Sequence, residues 1–311
     1  MTLEIGLSIE GQEGVSWPQW LGLARVAEEH GFPFLYRSDH YLSEQPASGR
    51  AALDAWGTIC GLAAVTSRIR LGTLVSPVTF RHPSVLARLA VTAGHISGGR
   101  VDVGIGAGWY PDEHRAHGFD LPELPVRLEL LAEQLEILVR SWDAAPFTFH
   151  GRHYELVDSD PRPKPAHGPP RVVVGGTGGP RSLALAALWA DEYNLPPGPV
   201  GETRLRIAAV RAACARVGRA PETMRISMST AVVCGADRAE IDDRTARACR
   251  FVAIEEPPDT WLVGTPDRIA TGLTELASLG LDRIMLWPPN HDDLEMIGLV
   301  GRAVLPAAGT P

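Results

Sequence analysis

Two short stretches of this chain place groups capable of ligand and proton chemistry side by side. Asp39-His40 follows an apolar run, Phe34–Ser38. Such a pair can orient a ligand or move a proton, because imidazole titrates near neutral pH. Gly175-Gly176-Thr177-Gly178-Gly179 precedes Pro180-Arg181 and a helical pattern. Successive backbone N–H groups at the positive end of a helix form an anion site, and glycines let a phosphate approach. No Walker-type phosphate loop occurs, so nucleoside triphosphate hydrolysis is not indicated. A third stretch, Gly104-Ile105-Gly106-Ala107-Gly108-Trp109, has glycine at alternate positions and runs on to Asp112-Glu113-His114. Missing Cβ atoms there suit a flat group or a backbone that must come close. Thr73-Leu74-Val75-Ser76-Pro77 and Asn194 end two further β-like runs.

Groups this far apart in sequence meet only if a frame brings strand ends together. Eight strand patterns alternate with helical ones: Leu3–Ile9, Phe34–Ser38, Ile69–Val75, Val101–Ile105, Arg171–Val174, Glu192–Leu195, Arg225–Val233 and Arg283–Trp287. Right-handed βαβ units build a parallel sheet, and eight of them close into a (β/α)8 barrel. A doubly wound open sheet is the competing architecture. Helices are expected over Trp17–His30, Asp54–Ser67, from Pro83, over Val126–Trp142 and over Leu294–Leu305. The extra length is read as a loop over Gly106–Pro125, aromatic β-like pieces with a proline-rich end over Ala144–Pro170, and an interruption over Glu255–Pro266. With no low-complexity linker, a single domain is expected over residues 1–311. Barrel enzymes carry their chemistry at the carboxyl ends of the strands, where all the stretches above fall.

A hydrophobic fraction of 45% and a charged fraction of 21% describe an ordinary globular chain. The net charge of −8, without a basic run, argues against nucleic acid or an anionic membrane as partner. No apolar run reaches the roughly 18 residues of a membrane span. Four scattered cysteines without CxxC spacing read as free thiols, which fits a cytoplasmic location.

Taken in order, Ser38–His40, Thr66–Pro83, Ser97–Gly118, Gly175–Asn194 and Leu279–Pro288 resemble the luciferase-like monooxygenase superfamily, and within it the branch that uses the deazaflavin coenzyme F420. The resemblance runs from the second strand to the eighth. It implies hydride transfer between coenzyme F420 and a small organic substrate, with FMN-dependent monooxygenation as the alternative. It also implies that Asp39 and His40 lie beside the ring, with His40 as proton donor or acceptor and Asp39 orienting it or touching the coenzyme. A cis peptide at Leu74–Val75 is implied behind the ring. Gly106, Ala107, Gly108 and Glu113 would line the coenzyme side, Gly175, Gly176, Thr177, Gly178 and Gly179 would receive its phosphate, and Asn194 would be a recurring polar contact. Relatives are often homodimers. The sugar-phosphate and secondary-alcohol dehydrogenases of the branch carry Trp four residues after the strand-two His, where this chain has Glu44. They carry Glu after the strand-four glycines, where it has Trp109. A different substrate is therefore expected. A metal-dependent barrel hydrolase, using Asp39, His40, Glu113, His114 and His117, and a non-catalytic flavin or deazaflavin carrier are the readings from other classes. No metal is expected.

Overall fold

In the computed structural model, residues 3–308 are described. The outer residues of the expected single domain, 1–2 and 309–311, lie outside them.

Eight strands form a closed parallel ring: β1 (Glu4–Ile9), β2 (Phe34–Arg37), β3 (Arg70–Thr73), β5 (Val101–Gly106), β8 (Arg171–Gly175), β9 (Glu192–Leu195), β10 (Arg225–Cys234) and β12 (Arg283–Trp287), with β12 returning to β1. Closure excludes the open doubly wound sheet. A two-residue strand, β4 (Ser76–Pro77), resumes the path of β3 and pairs with β5, and β11 (Leu262–Gly264) lies parallel beside β10. Antiparallel β6 (Phe147–His150) and β7 (Glu155–Ser159) form a separate hairpin where the aromatic pieces were expected.

Helices cover the outside: α1 (Trp17–Glu29), α2 (Ala55–Val65), α3 (Pro83–Ser97), α5 (Leu124–Trp142), α6 (Pro180–Trp189), α7 (Val200–Arg216), α8 (Arg238–Val252) and α9 (Pro266–Ala277). A last helical stretch, α10 (Leu294–Leu299), passes through a π-helical turn, Val300–Val304, into α11 (Leu305–Ala307). One expectation needs correction. Gly106–Pro125 is not all loop, because α4 occupies Pro111–His117. Proline in its first turn, Asp112-Glu113 at its start and left-handed Gly118 at its end are ordinary helix boundaries.

Side chains alternate between the barrel interior and the helix layer. On β2, Phe34 and Tyr36 point inward and pack with Met285, whereas Leu35 joins the outer apolar core. The amino end of the interior is closed by ions: Arg283 meets Glu192 at 2.7 Å, Arg70 pairs with Asp102, and the Tyr36 hydroxyl donates to Asp102. Burial makes these pairs costly to break, so they fix the register of the strands beneath the open carboxyl end.

Candidate active site

The carboxyl ends of the strands surround a cavity of about 860 Å³, within the usual range for cofactor and substrate sites. The inward parity of β1 and β2 carries past their ends, so Ser8, Glu10, Ser38 and His40 all line it. Asp39 has the opposite parity and does not.

His40 donates from Nδ1 to Oε2 of Glu113 at 2.8 Å. Glu113 is fully buried on the first turn of α4, and its Oε1 accepts the backbone N–H groups of Tyr41 and Leu42. Tyr110, just before α4, donates its hydroxyl to the Ser43 carbonyl at 2.9 Å, tying the helix to the loop after β2. Burial alone would lower the His40 pKa, but the hydrogen bond and charge of Glu113 outweigh it and raise the value. Burial would likewise raise Glu113, yet the His40 bond and the two backbone donors hold it below the usual carboxylate range. Nε2 of His40 has no partner among the described residues and is not sealed off, which leaves it to the cavity. Trp109 meets the imidazole edge-on, with ring centroids 5.9 Å apart.

Asp39 is 1% exposed and turned toward β4 and the loop that follows it. Its carboxylate accepts Ser76 Oγ at 2.6 Å and Arg81 Nη1 at 2.6 Å. The structure therefore does not give Asp39 the orienting role expected of it, because Glu113 holds His40 instead. Nor does Asp39 reach the cavity to touch a coenzyme.

The Leu74–Val75 peptide is cis, and both residues line the cavity. The glycines around them have a specific use. A Cβ on Gly106 would stand 2.7 Å from Val75 Cγ2 and one on Gly175 3.0 Å from Val75 Cγ1, whereas one on Gly104 would run into the Thr73 carbonyl oxygen. Gly106 and Gly175 thus make room for the Val75 side chain, and Gly104 for the Thr73 carbonyl. Gly106, Ala107 and Gly108 line the wall beside it.

Across the mouth, Gly175, Gly176, Thr177 and Gly179 line the cavity, as do Arg181 and Ser182 on the first turn of α6. Gly178 does not. Its N–H donates to the Tyr193 hydroxyl at 3.1 Å, and that of Gly176 to the Asn194 carbonyl at 3.2 Å. The N–H groups of Thr177, Gly179, Arg181 and Ser182 have no acceptor among the described residues. That makes a smaller cradle than five consecutive glycine-rich positions suggested, but a real one, at a helix N-terminus. Asn194, 8% exposed, lines the floor, with Nδ2 donating to Ser227 Oγ at 3.0 Å.

The residues offered for a metal do not converge. His114 is spent on the Tyr110 carbonyl and on Thr79, His117 on the Glu113 carbonyl, and no cluster of three metal-ligating side chains occurs among the described residues. Sequence reading missed Ser8, Glu10, Trp261 and Trp287 as lining residues. For Ser8, Glu10 and Trp287 the signal was strand parity counted up from Glu4 and Arg283; Trp261 lies in a loop and offered none.

The chain resembles an F420-dependent glucose-6-phosphate dehydrogenase of Microbacterium testaceum, 27% identical over 307 residues that cover 90% of each chain. A monooxygenase of Streptomyces bottropensis superposes with a TM-score of 0.81 at 25% identity, covering 98% of this chain and 99% of the other. The F420-dependent tetrahydromethanopterin reductase of Methanopyrus kandleri shares the fold with a TM-score of 0.82 at 18% identity, over 98% and 99% of the two chains. The family model for luciferase-like monooxygenases matches residues 3–258, and the chain belongs to that family.

Proposed function

We propose that this protein is a coenzyme F420-dependent oxidoreductase that moves a hydride between the deazaflavin and a small organic substrate. The observation that carries the reading is the facing arrangement of His40 and the amide cradle. An imidazole held at Nδ1 by Glu113 leaves Nε2 toward the cavity, while four unsatisfied N–H groups wait across the mouth.

The residues fit such a coenzyme. The N–H groups of Thr177, Gly179, Arg181 and Ser182 would hold its phosphate, and Leu74 and Val75 would back its ring. A bound deazaflavin supplies a ring carbon that gives or accepts a hydride, and the protein supplies position and proton control. His40 holds or takes the substrate proton at Nε2. Glu113 fixes the tautomer and favours the imidazolium when the proton arrives. The apolar wall and Trp109 displace water from the reacting face, so that position counts for much of the rate. The F420-dependent names of curated relatives support this choice of coenzyme, while a Pseudomonas putida monooxygenase solved in complex with FMN, which shares the fold, keeps FMN as the second reading.

Side-by-side titration of the protein with coenzyme F420 and FMN at matched salt tests it. Tight binding of coenzyme F420 is expected. Binding of FMN with none of coenzyme F420 would overturn the coenzyme and leave the family untouched. A reducing cytoplasm is the compartment we propose for it, and the four free cysteines fit that.

A further inference from the structure

The half of the cavity away from the amide cradle carries two carboxylates, Glu10 and Glu44, outside any salt bridge among the described residues. Around the ring β1 lies opposite β8, so residues ending β1, β2 and β12 face the cradle across the mouth. They bring Glu10, Glu44 and Trp287 to the lining, with Trp261 beside them. Other charges near these are spoken for: Glu13 pairs with Arg50 at 2.6 Å, and Glu113 with His40. Glu10 and Glu44 form no salt bridge among the described residues; His40 attracts both from the same half, and burial beside Glu10 and Glu13 raises the Glu44 pKa, while Arg181 sits at the cradle. Beneath Glu10 on the same inward face, Ser8 is 4% exposed and lines the cavity, its hydroxyl without a partner among the described residues. The register that pairs Leu7 with Leu286 sets Ser8 beside Trp287. Trp287 and Trp261 meet edge to face, with centroids 5.9 Å apart.

A buried hydroxyl seeking a partner, two indoles and two free carboxylates together form a recognisable chemistry. Indole faces attract cations, above all alkylated ammonium groups, and carboxylates add to that attraction where water is partly excluded. The same carboxylates repel a phosphate or a carboxylate.

We propose that the substrate carries a positively charged nitrogen on an apolar body, seated between Trp261, Trp287, Glu10 and Glu44 with a polar atom on Ser8. This rests on the coenzyme filling the cradle side, as proposed above. It sets the chain apart from the glucose-6-phosphate dehydrogenases it resembles, because a sugar phosphate would bring two negative charges against Glu10 and Glu44.

Benzyltrimethylammonium, its uncharged carbon isostere and benzylphosphonate serve as probes, with binding read from tryptophan fluorescence and calorimetry on the protein with and without coenzyme F420. The cation is expected to bind about tenfold tighter than the isostere, with no measurable binding of the phosphonate. The double variant E10Q/E44Q should erase the preference between cation and isostere. W287A should weaken both, and the cation more. Equal binding of cation and phosphonate, or a preference that survives E10Q/E44Q, overturns the proposal. Coenzyme affinity is measured in the same samples. Loss of coenzyme binding with the cation preference intact strikes the proposed function, whereas good coenzyme binding without the preference strikes this inference.

Discussion

His40 and Glu113 lie 73 residues apart in sequence and 2.8 Å apart in space, and the bond between them ties the end of β2 to the start of α4. Each raises or lowers the other's pKa in the sense that favours the ion pair. The stabilisation from His40 is fully present below its unfolded pKa of about 6.5 and is lost as pH rises through the raised folded value. That from Glu113 is present above about 4.3 and is lost as pH falls through its lowered folded value. Glu113→Gln should therefore cost about 2 kcal/mol, most of it between those limits. Melting curves of both proteins across pH check this, and a pH-independent gap would count against the pair. In the variant, NMR titration should also find the His40 pKa lower.

His40 and Asp39 should separate cleanly by mutation, although they are neighbours. His40→Ala is expected to lower turnover by about 10²- to 10⁴-fold, the usual worth of a positioned proton donor, with coenzyme affinity little changed. Asp39→Asn breaks a buried pair with Arg81 and should cost about 3 kcal/mol of stability. Its effect on turnover should stay below roughly tenfold. Denaturant titration and single-turnover kinetics on the two variants tell these outcomes apart.

The same pair marks where sequence reading succeeded and where it stopped. Alternation of strand and helix patterns reached all eight ring strands, because burial on both faces writes long apolar runs. The glycines of β5 and β8 were legible as places needing close approach. At Gly104 the approaching group is the expected backbone, the Thr73 carbonyl, but at Gly106 and Gly175 it is the Val75 side chain, which no local pattern announced. The family resemblance implied that Asp39 orients the ring or touches the coenzyme. Strand parity says otherwise, since neighbours point to opposite faces, and Asp39 follows Leu35 and Arg37 outward. Glu113 was placed near the coenzyme without its link to His40, a contact created only when α4 folds across the mouth. No local pattern encodes such a long-range contact. Trp287 had its parity in plain view beside inward Met285, yet its position on the cavity required the closed ring.

The fit of Val75 among glycines makes a second kind of prediction. A Cβ at Gly106 would stand 2.7 Å from Val75 Cγ2, too close without a shift of the wall. Gly106→Ala should destabilise the fold by about 1–3 kcal/mol, the usual cost of overpacking, and weaken coenzyme binding. Adding Val75→Ala vacates the space and should restore part of the stability. A double-mutant cycle reads the coupling directly. Strict additivity of the two changes would show that Val75 is not what Gly106 accommodates.

Tyr193 offers the sharpest check on the amide cradle, because it acts without touching the cavity. Its hydroxyl accepts the Gly178 N–H at 3.1 Å and meets Ser182 Oγ at 3.0 Å, holding the loop and the first turn of α6 in one arrangement. The ring is fully buried, and burial raises its pKa, so the hydroxyl stays protonated at any working pH. Tyr193→Phe removes both bonds while keeping the volume. It should cost about 1 kcal/mol of stability, the net worth of a buried hydrogen bond. It should also weaken coenzyme F420 by roughly tenfold, equivalent to about 1.4 kcal/mol, because the free N–H groups no longer converge. Turnover at saturating coenzyme should be unchanged, since His40 and Glu113 lie across the mouth. Inorganic phosphate, competing with the coenzyme, should weaken in parallel. An unaltered coenzyme affinity would mean that the Gly175–Gly179 segment is not the phosphate site, whatever the loop's effect on stability.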